Sequence, residues 1–492
     1  MVLNHALFYL AAAATQAAAA LGLVAALTRL LSEAEFGQYG LAAAALHLYQ
    51  SILFFWLRSS VSRFHAAAEH ERRLAPFLAG MRRWFVAVAL GGLVVGALAV
   101  LAAPVSAGLR ATLWVMLAAA TAMGAFGLIL EIHRARLEAP RFALYQSVQA
   151  ALSVVLSLAL VLAFARAGAG GYGAGGYGAA WAMGGLALSY LVCVLIDPAG
   201  LRFWRGGGRP EPGALRAILA YGLPMTVAMV MDALLVTADR FIIAHFLGEA
   251  GVAPYAAAQT LAQRSLMAIC TVVGAAAAPL AFAALEREGA AEARRRLTAA
   301  GELAFAVAVP AAFGLAAVAG PLSDVMVGAA LRAEARALLP WIAAGGLLQG
   351  LAVHYFQQGF LVARRPGALV LALLPSMAVY FAGNFVLVPR MGALGAAVAL
   401  VASQAVQVAV VILAGRRHFA MPLCAGTAAK AVLVSALMFA ALRLLPLPGG
   451  AVGLCVQVAL GGAIYAAGAL ATNMANCRAH AARIVGAAAR RA

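Results

Sequence analysis

The chain has 492 residues, 65% of them apolar and 11% charged, with a mean hydropathy of +0.95. Soluble domains carry about 25% charged residues, so this chain lacks the polar surface of a soluble enzyme, and it is too hydrophobic to be disordered. A net charge of +18 would suggest nucleic acid in a soluble protein, but here the arginines gather in short segments between apolar runs, which is the distribution of a multi-pass membrane protein.

A membrane-crossing helix needs about 20 largely apolar residues. Taken in chain order, the sequence predicts six over 6–28, 40–57, 84–104, 111–131, 143–165 and 177–197. Six more follow over 217–247, 255–283, 300–320, 337–358, 368–388 and 392–414, and a last two over 427–445 and 452–474, fourteen in all. The first lacks a basic stretch ahead of its apolar run, so it reads as a retained helix rather than a signal peptide. With the N-terminus in the cytoplasm, arginines favour the cytoplasmic segments roughly three to one. That bias follows the positive-inside rule and puts both termini inside. The segments between crossings, 58–83 and 198–216 among them, are too short to fold as catalytic domains. The five cysteines are scattered without a CxxC pair, so neither a disulfide framework nor a metal site is expected.

An internal repeat organises the crossings. Leu31–Tyr39 after the first helix parallels Leu247–Tyr255 after the seventh at an offset of 216. Ala103-Pro104 parallels Gly320-Pro321, and Gly175–Ala180 parallels Gly392–Ala397, both at 217. Three anchors in order at nearly one offset point to duplication. The expected fold is an all-α polytopic membrane protein of two parallel six-helix repeats plus two C-terminal helices. Its parts are a first lobe over 1–200, a cytoplasmic linker over 201–216 and a second lobe over 217–415. Two added helices lie over 416–475 and a basic cytoplasmic tail over 476–492. Transporters built from parallel repeats bind cargo between the halves and rock one against the other.

Phe36-Gly37-Gln38-Tyr39, the basic segment Trp56-Leu57-Arg58 to Arg63-Phe64, Tyr221-Gly222-Leu223-Pro224 and Asp239-Arg240-Phe241-Ile242-Ile243 stand in order along the chain. With Phe246-Leu247-Gly248 and Tyr255-Ala256-Ala257 they resemble the motifs of bacterial polysaccharide exporters. These are oligosaccharide-lipid flippases, such as the O-antigen and lipid II flippases, and their superfamily also contains multidrug and toxin extruders. The resemblance covers about 1–415. It implies movement of an undecaprenyl-pyrophosphate-linked saccharide across the plasma (inner) membrane for surface polysaccharide or lipopolysaccharide synthesis. It also implies possible partners among the glycosyltransferases or polymerase of that pathway. No cofactor, metal or nucleic acid is expected, and no ATPase segment is evident. The alternatives are an ion-driven multidrug extruder of the same fold and, in another class, a membrane saccharide polymerase or ligase. The second is disfavoured by the short outward loop 321–336.

Ionisable residues inside spans are functional candidates. Arg58 and Arg63 either receive a pyrophosphate at the inner mouth or anchor the helix by the positive-inside rule. Arg29 either assists release or snorkels to the interface. Arg240 and Arg264 complete the candidate substrate-binding set, Arg264 reading as the most buried arginine and as a match in depth for Asp239. That pair is either structural or shared with cargo. Asp232, seven residues before Asp239 on the same helix, is either a proton carrier or a hydrogen-bonded polar spot. Pro224, after Gly222, is a candidate hinge. His47 and His354 are candidate titrating groups or ordinary hydrogen-bonding residues.

Overall fold

The computed structural model describes residues 2–167, 176–210, 213–287, 289–363, 365–417, 419–445 and 448–478. The glycine-rich stretch 168–175, Arg364 and the basic tail beyond Arg478 lie outside the described residues. Contacts divide the chain into two compact units, Met1–Ala256 and Ala257–Ala492. Among the described residues all regular structure is helical.

The first unit contains α1 (Val2–Leu30), α2 (Glu33–Leu53), α3 (Phe55–His70), α4 (Leu74–Ala102), α5 (Ala107–Ala135), α6 (Ala139–Ala167), α7 (Gly178–Ile196) and the short α8 (Pro198–Arg205). The long α9 (Ala214–Arg287) begins in it. The second unit continues with α10 (Ala290–Ala317), α11 (Ala319–Met326), α12 (Arg332–Leu351), α13 (Gln358–Val362), α14 (Pro366–Met391), α15 (Ala393–Gly415), α16 (Ala425–Leu444) and α17 (Gly450–Ala471). A single π-helical turn, Ala352–Phe356, follows α12.

Among the described residues twelve helices are long and apolar enough to cross a membrane, thirteen if the bent pair α2/α3 counts as one more. The difference from fourteen separate crossings lies in α9. Its apolar run Ala214–Met267 is 54 residues, about 80 Å of helix at 1.5 Å per residue, against a hydrocarbon layer of about 30 Å. The run is interrupted at Gly248, whose φ of 74° and ψ of −178° are open to glycine and strained for other residues.

Two segments expected as polar loops are helical. Most of 58–83 forms α3 and the start of α4, because Trp56, Leu57, Val61, His65 and Ala68 recur at helical spacing and bury one face. α3 is bent 47° from α2 across Phe54. Within 198–216, α8 starts at Pro198, Asp197 caps it by accepting from the Ala199 N–H at 2.9 Å, and Phe203 is buried. Pro at the first position and Asp at the cap are the residues a helix start favours.

At the opposite end of the first unit, Ser32 and Glu35 form a capping box for α2. Glu35 also accepts from the Gly178 N–H at 2.9 Å, tying the start of α7 to that of α2. A Cβ at Gly37 would lie 1.7 Å from the Glu249 carbonyl oxygen, so the glycine of the Phe36–Tyr39 motif lets two backbones meet. The core beside the bend contains Phe54, Leu57, Phe85, Leu128 and Ile129, with Phe54 stacked on Phe85 at 5.1 Å. On the outside of α4, Leu90, Val94, Leu98 and Leu101 share one face and are each 60% exposed or more. Such a stripe is unfavourable in water and matched by lipid.

In the second unit α14 packs along α15, and α12 packs on both α10 and α15. The two added helices are fastened to α10. Ala431 and Val434 of α16 pack with Val309, and the Tyr465 hydroxyl of α17 donates to the Ala306 carbonyl at 2.7 Å.

Candidate functional site

The bend at Phe54 swings α3 beside the end of α5, which brings Arg58 to Glu131 although 73 positions separate them in sequence. Arg58 Nη2 lies 3.7 Å from Glu131 Oε1. Arg134, one turn further along α5, donates to the same oxygen at 2.9 Å. Two guanidiniums thus converge on one buried carboxylate oxygen. Arg58 Nε and Glu131 Oε2 are buried and make no hydrogen bond among the described residues. The Arg134 guanidinium is steadied over the Phe142 ring, 4.9 Å from its centroid. About a third of the Arg58 side chain (34%) and nearly half of that of Arg134 (46%) remain exposed, while Glu131 is 7% exposed. Arginine forks suit phosphate oxygens because they offer two parallel donors.

On the other face of α5, His133 is fully buried between two carboxylates. Nε2 lies 2.7 Å from Asp197 Oδ2 and Nδ1 lies 2.7 Å from Glu138 Oε2. Each ring nitrogen thus faces a carboxylate oxygen, the arrangement in which an imidazole protonated on both nitrogens donates to each. Tyr145 stacks on the ring at 5.7 Å, and Arg141 donates to Glu138 at 3.1 Å. Burial pushes the Asp197 carboxyl up, but the His133 hydrogen bond, the Ala199 N–H and the His133 charge outweigh it and hold it below the usual range. Glu138 follows the same pattern, its burial outweighed by the hydrogen bond from His133 and the charge of Arg141. This hub clamps the end of α5 to the starts of α6 and α8. Among the described residues no group of three His, Cys, Asp or Glu side chains is arranged to hold a metal ion.

The remaining candidates occupy separate neighbourhoods. Arg63 is exposed beside Phe64, whose ring meets Tyr221 edge-on at 5.7 Å. Arg29 is exposed and donates to the Ala25 carbonyl of its own helix. Arg240 donates to the Gly40 carbonyl at 3.1 Å. Asp239 is wholly buried and accepts from the Tyr255 hydroxyl and from the Arg240 N–H at 2.8 Å. Asp232 is partly exposed. Pro224 is exposed and the helix runs on through it, the interruption of α9 falling at Gly248. His47 is exposed, and His354 sits half-buried in the π turn. Arg264, expected as the most buried arginine, is exposed. Depth along a helix follows from the rise per residue, but which way a side chain turns depends on the helix's rotation, which spacing alone does not fix.

A nearly all-helical chain rich in helices long and apolar enough to cross a membrane, with Arg58 beyond the α2/α3 bend meeting Arg134 at the end of α5, defines a class, the multi-pass helical membrane proteins. The family model described as polysaccharide biosynthesis protein matches residues 26–333, and the chain belongs to that family. Among solved structures it is similar to "Lipid II flippase MurJ, inward closed conformation", with a TM-score of 0.76 at 11% identity over 95% of this chain and 98% of that one. An inward-facing multidrug resistance MATE family transporter of the MOP superfamily matches with a TM-score of 0.61 at 15% identity, over 88% and 96%. A MOP superfamily transporter from Pyrococcus furiosus gives 0.59 at 13%, over 90% and 96%. No curated protein sequence matches the chain. At these identities the likeness establishes the fold.

Proposed function

We propose that the protein is a flippase that moves an undecaprenyl-pyrophosphate-linked oligosaccharide from the inner to the outer leaflet of the plasma membrane by alternating access, without chemistry on the cargo. α9 then makes two crossings that turn at Gly248, the His133 end faces the cytoplasm, and both termini lie inside. The observation that carries the reading is the match to the polysaccharide biosynthesis family, which spans the Arg58–Glu131–Arg134 cluster. A diphosphate cannot cross hydrocarbon unpaired, because burying an isolated charge costs many kcal/mol, and guanidiniums at the inner mouth supply its partners. Deleting the gene and fractionating lipid-linked saccharides tests this. One species accumulating in the inner leaflet supports it. Unchanged lipid-linked pools with new sensitivity to cationic drugs would favour the extruder instead.

A further inference from the structure

We infer that Arg134 is a second diphosphate-binding residue and that Glu131 is a built-in anion, occupying the Arg58–Arg134 pair whenever cargo is absent. The inference rests on the lipid-diphosphate reading above. Both guanidiniums approach the same oxygen, Oε1, at 3.7 and 2.9 Å, and neither engages Oε2. A pair built only for stability favours the two-pronged arrangement, in which each guanidinium edge meets both carboxylate oxygens. Here most of the donors on the two side chains are left over, Arg58 Nε among them.

The arrangement is that of an anion receptor already holding a small anion. Glu131 brings one negative charge to two positive ones, and a diphosphate brings more charge and more acceptor oxygens. The exposed portions of Arg58 and Arg134 lie open to it while Glu131 stays buried, so cargo can take over the outer donors without the carboxylate leaving α5. Phe142 beneath Arg134 fixes that guanidinium in advance, which lowers the ordering cost of binding. When cargo departs, Glu131 reclaims the pair, so that two adjacent guanidiniums are never left facing each other unneutralised. The carboxylate therefore weakens cargo binding and eases release.

The test is a titration of the purified full-length protein in detergent with farnesyl pyrophosphate, alongside its thermal stability. Arg134→Ala is expected to weaken binding about tenfold, the scale of one charge-assisted hydrogen bond. Arg134→Lys, which keeps the charge that Glu131 faces, should keep the fold and fall between the two. Glu131→Gln should bind the probe more tightly than the unaltered protein. A purely structural Glu131 would instead lower stability and leave affinity unchanged or reduced, and that result overturns the inference. Competition by inorganic pyrophosphate would show that the diphosphate itself is read, whereas equal competition by phosphatidylglycerol would overturn the assignment. If Arg58→Ala abolishes binding and Arg134→Ala does not, this inference alone fails. If the unaltered protein binds no farnesyl pyrophosphate, the lipid-diphosphate reading fails with it.

Discussion

Gln38 and Glu249, 211 positions apart, share a 2.7 Å hydrogen bond in which Gln38 Nε2 donates to Glu249 Oε2. The Ser106 hydroxyl donates to the other carboxylate oxygen at 2.6 Å. One side chain just past the Gly248 break thus fastens α9 to the starts of α2 and α5. Glu249→Ala should lower the apparent melting temperature in detergent by the equivalent of about 1–2 kcal/mol, since hydrogen bonds to a charged group contribute about 1.5–3 kcal/mol and this one is partly exposed. Gln38→Ala in the Glu249→Ala background should then cost little more, and additive losses would show that the two do not act together.

Gly37→Ala should be more damaging. Its Cβ would land on the Glu249 carbonyl, and backbone cannot give way as a flexible side chain does. Overpacking of this kind costs about 1–3 kcal/mol. A stability equal to that of the unaltered protein would mean that the α2–α9 contact is looser than it stands here.

The His133 hub predicts a pH dependence with a definite sign. Asp197 and Glu138 titrate below their usual ranges, so the unfolded chain binds their protons more readily than the folded one. Their stabilisation is complete above the unfolded values of about 3.9 and 4.3 and is lost as pH falls through the lower folded values. Melting temperature should hold from neutral pH to about 5 and drop below about 4. His133→Gln leaves two carboxylates facing an uncharged side chain, and breaking a buried pair costs about 3–5 kcal/mol. That deficit should shrink on acidification, as the carboxylates take up protons. A deficit that does not change with pH would contradict the charged hub.

Tyr255→Phe removes one donor to the buried Asp239. A buried carboxylate that loses a hydrogen bond costs about 1–3 kcal/mol, and Asp239→Asn should recover part of it in the double variant. Failure of that rescue in thermal unfolding would mean that Tyr255 supports the helix through packing alone.

Orientation is tested separately. Cysteines placed at Arg72 and Arg205 should react with an impermeant maleimide only from the cytoplasmic side, and one at Arg110 only from outside. The reverse pattern would place the Arg58–Arg134 pair at the wrong face for loading.

Much of the helix framework was legible in the sequence because runs of about 20 apolar residues have few other uses. The bend at Phe54 was not, since neither proline nor glycine marks it. α3 was hidden for the opposite reason, its buried face being too short and its other face too polar for a spanning helix. Arg58 could be singled out as a charge at a helix end, but its partnership with Glu131 and Arg134 depends on that bend and on tertiary packing between distant segments. The His133 hub joins residues from three separate stretches and leaves no spacing signal. Arg264 shows the converse, a depth read from the rise along a helix whose rotation, and so the exposure of the side chain, only packing decides.

Transport itself is measured most directly by reconstituting the purified protein into vesicles with a fluorescent undecaprenyl-pyrophosphate oligosaccharide and adding an impermeant quencher. With the unaltered protein, label should be lost from both leaflets. Vesicles with Arg58→Ala should keep the inner half, as protein-free vesicles do. Inner-leaflet protection identical in vesicles with the unaltered protein and in protein-free ones would contradict the assignment as a flippase of lipid-linked saccharides.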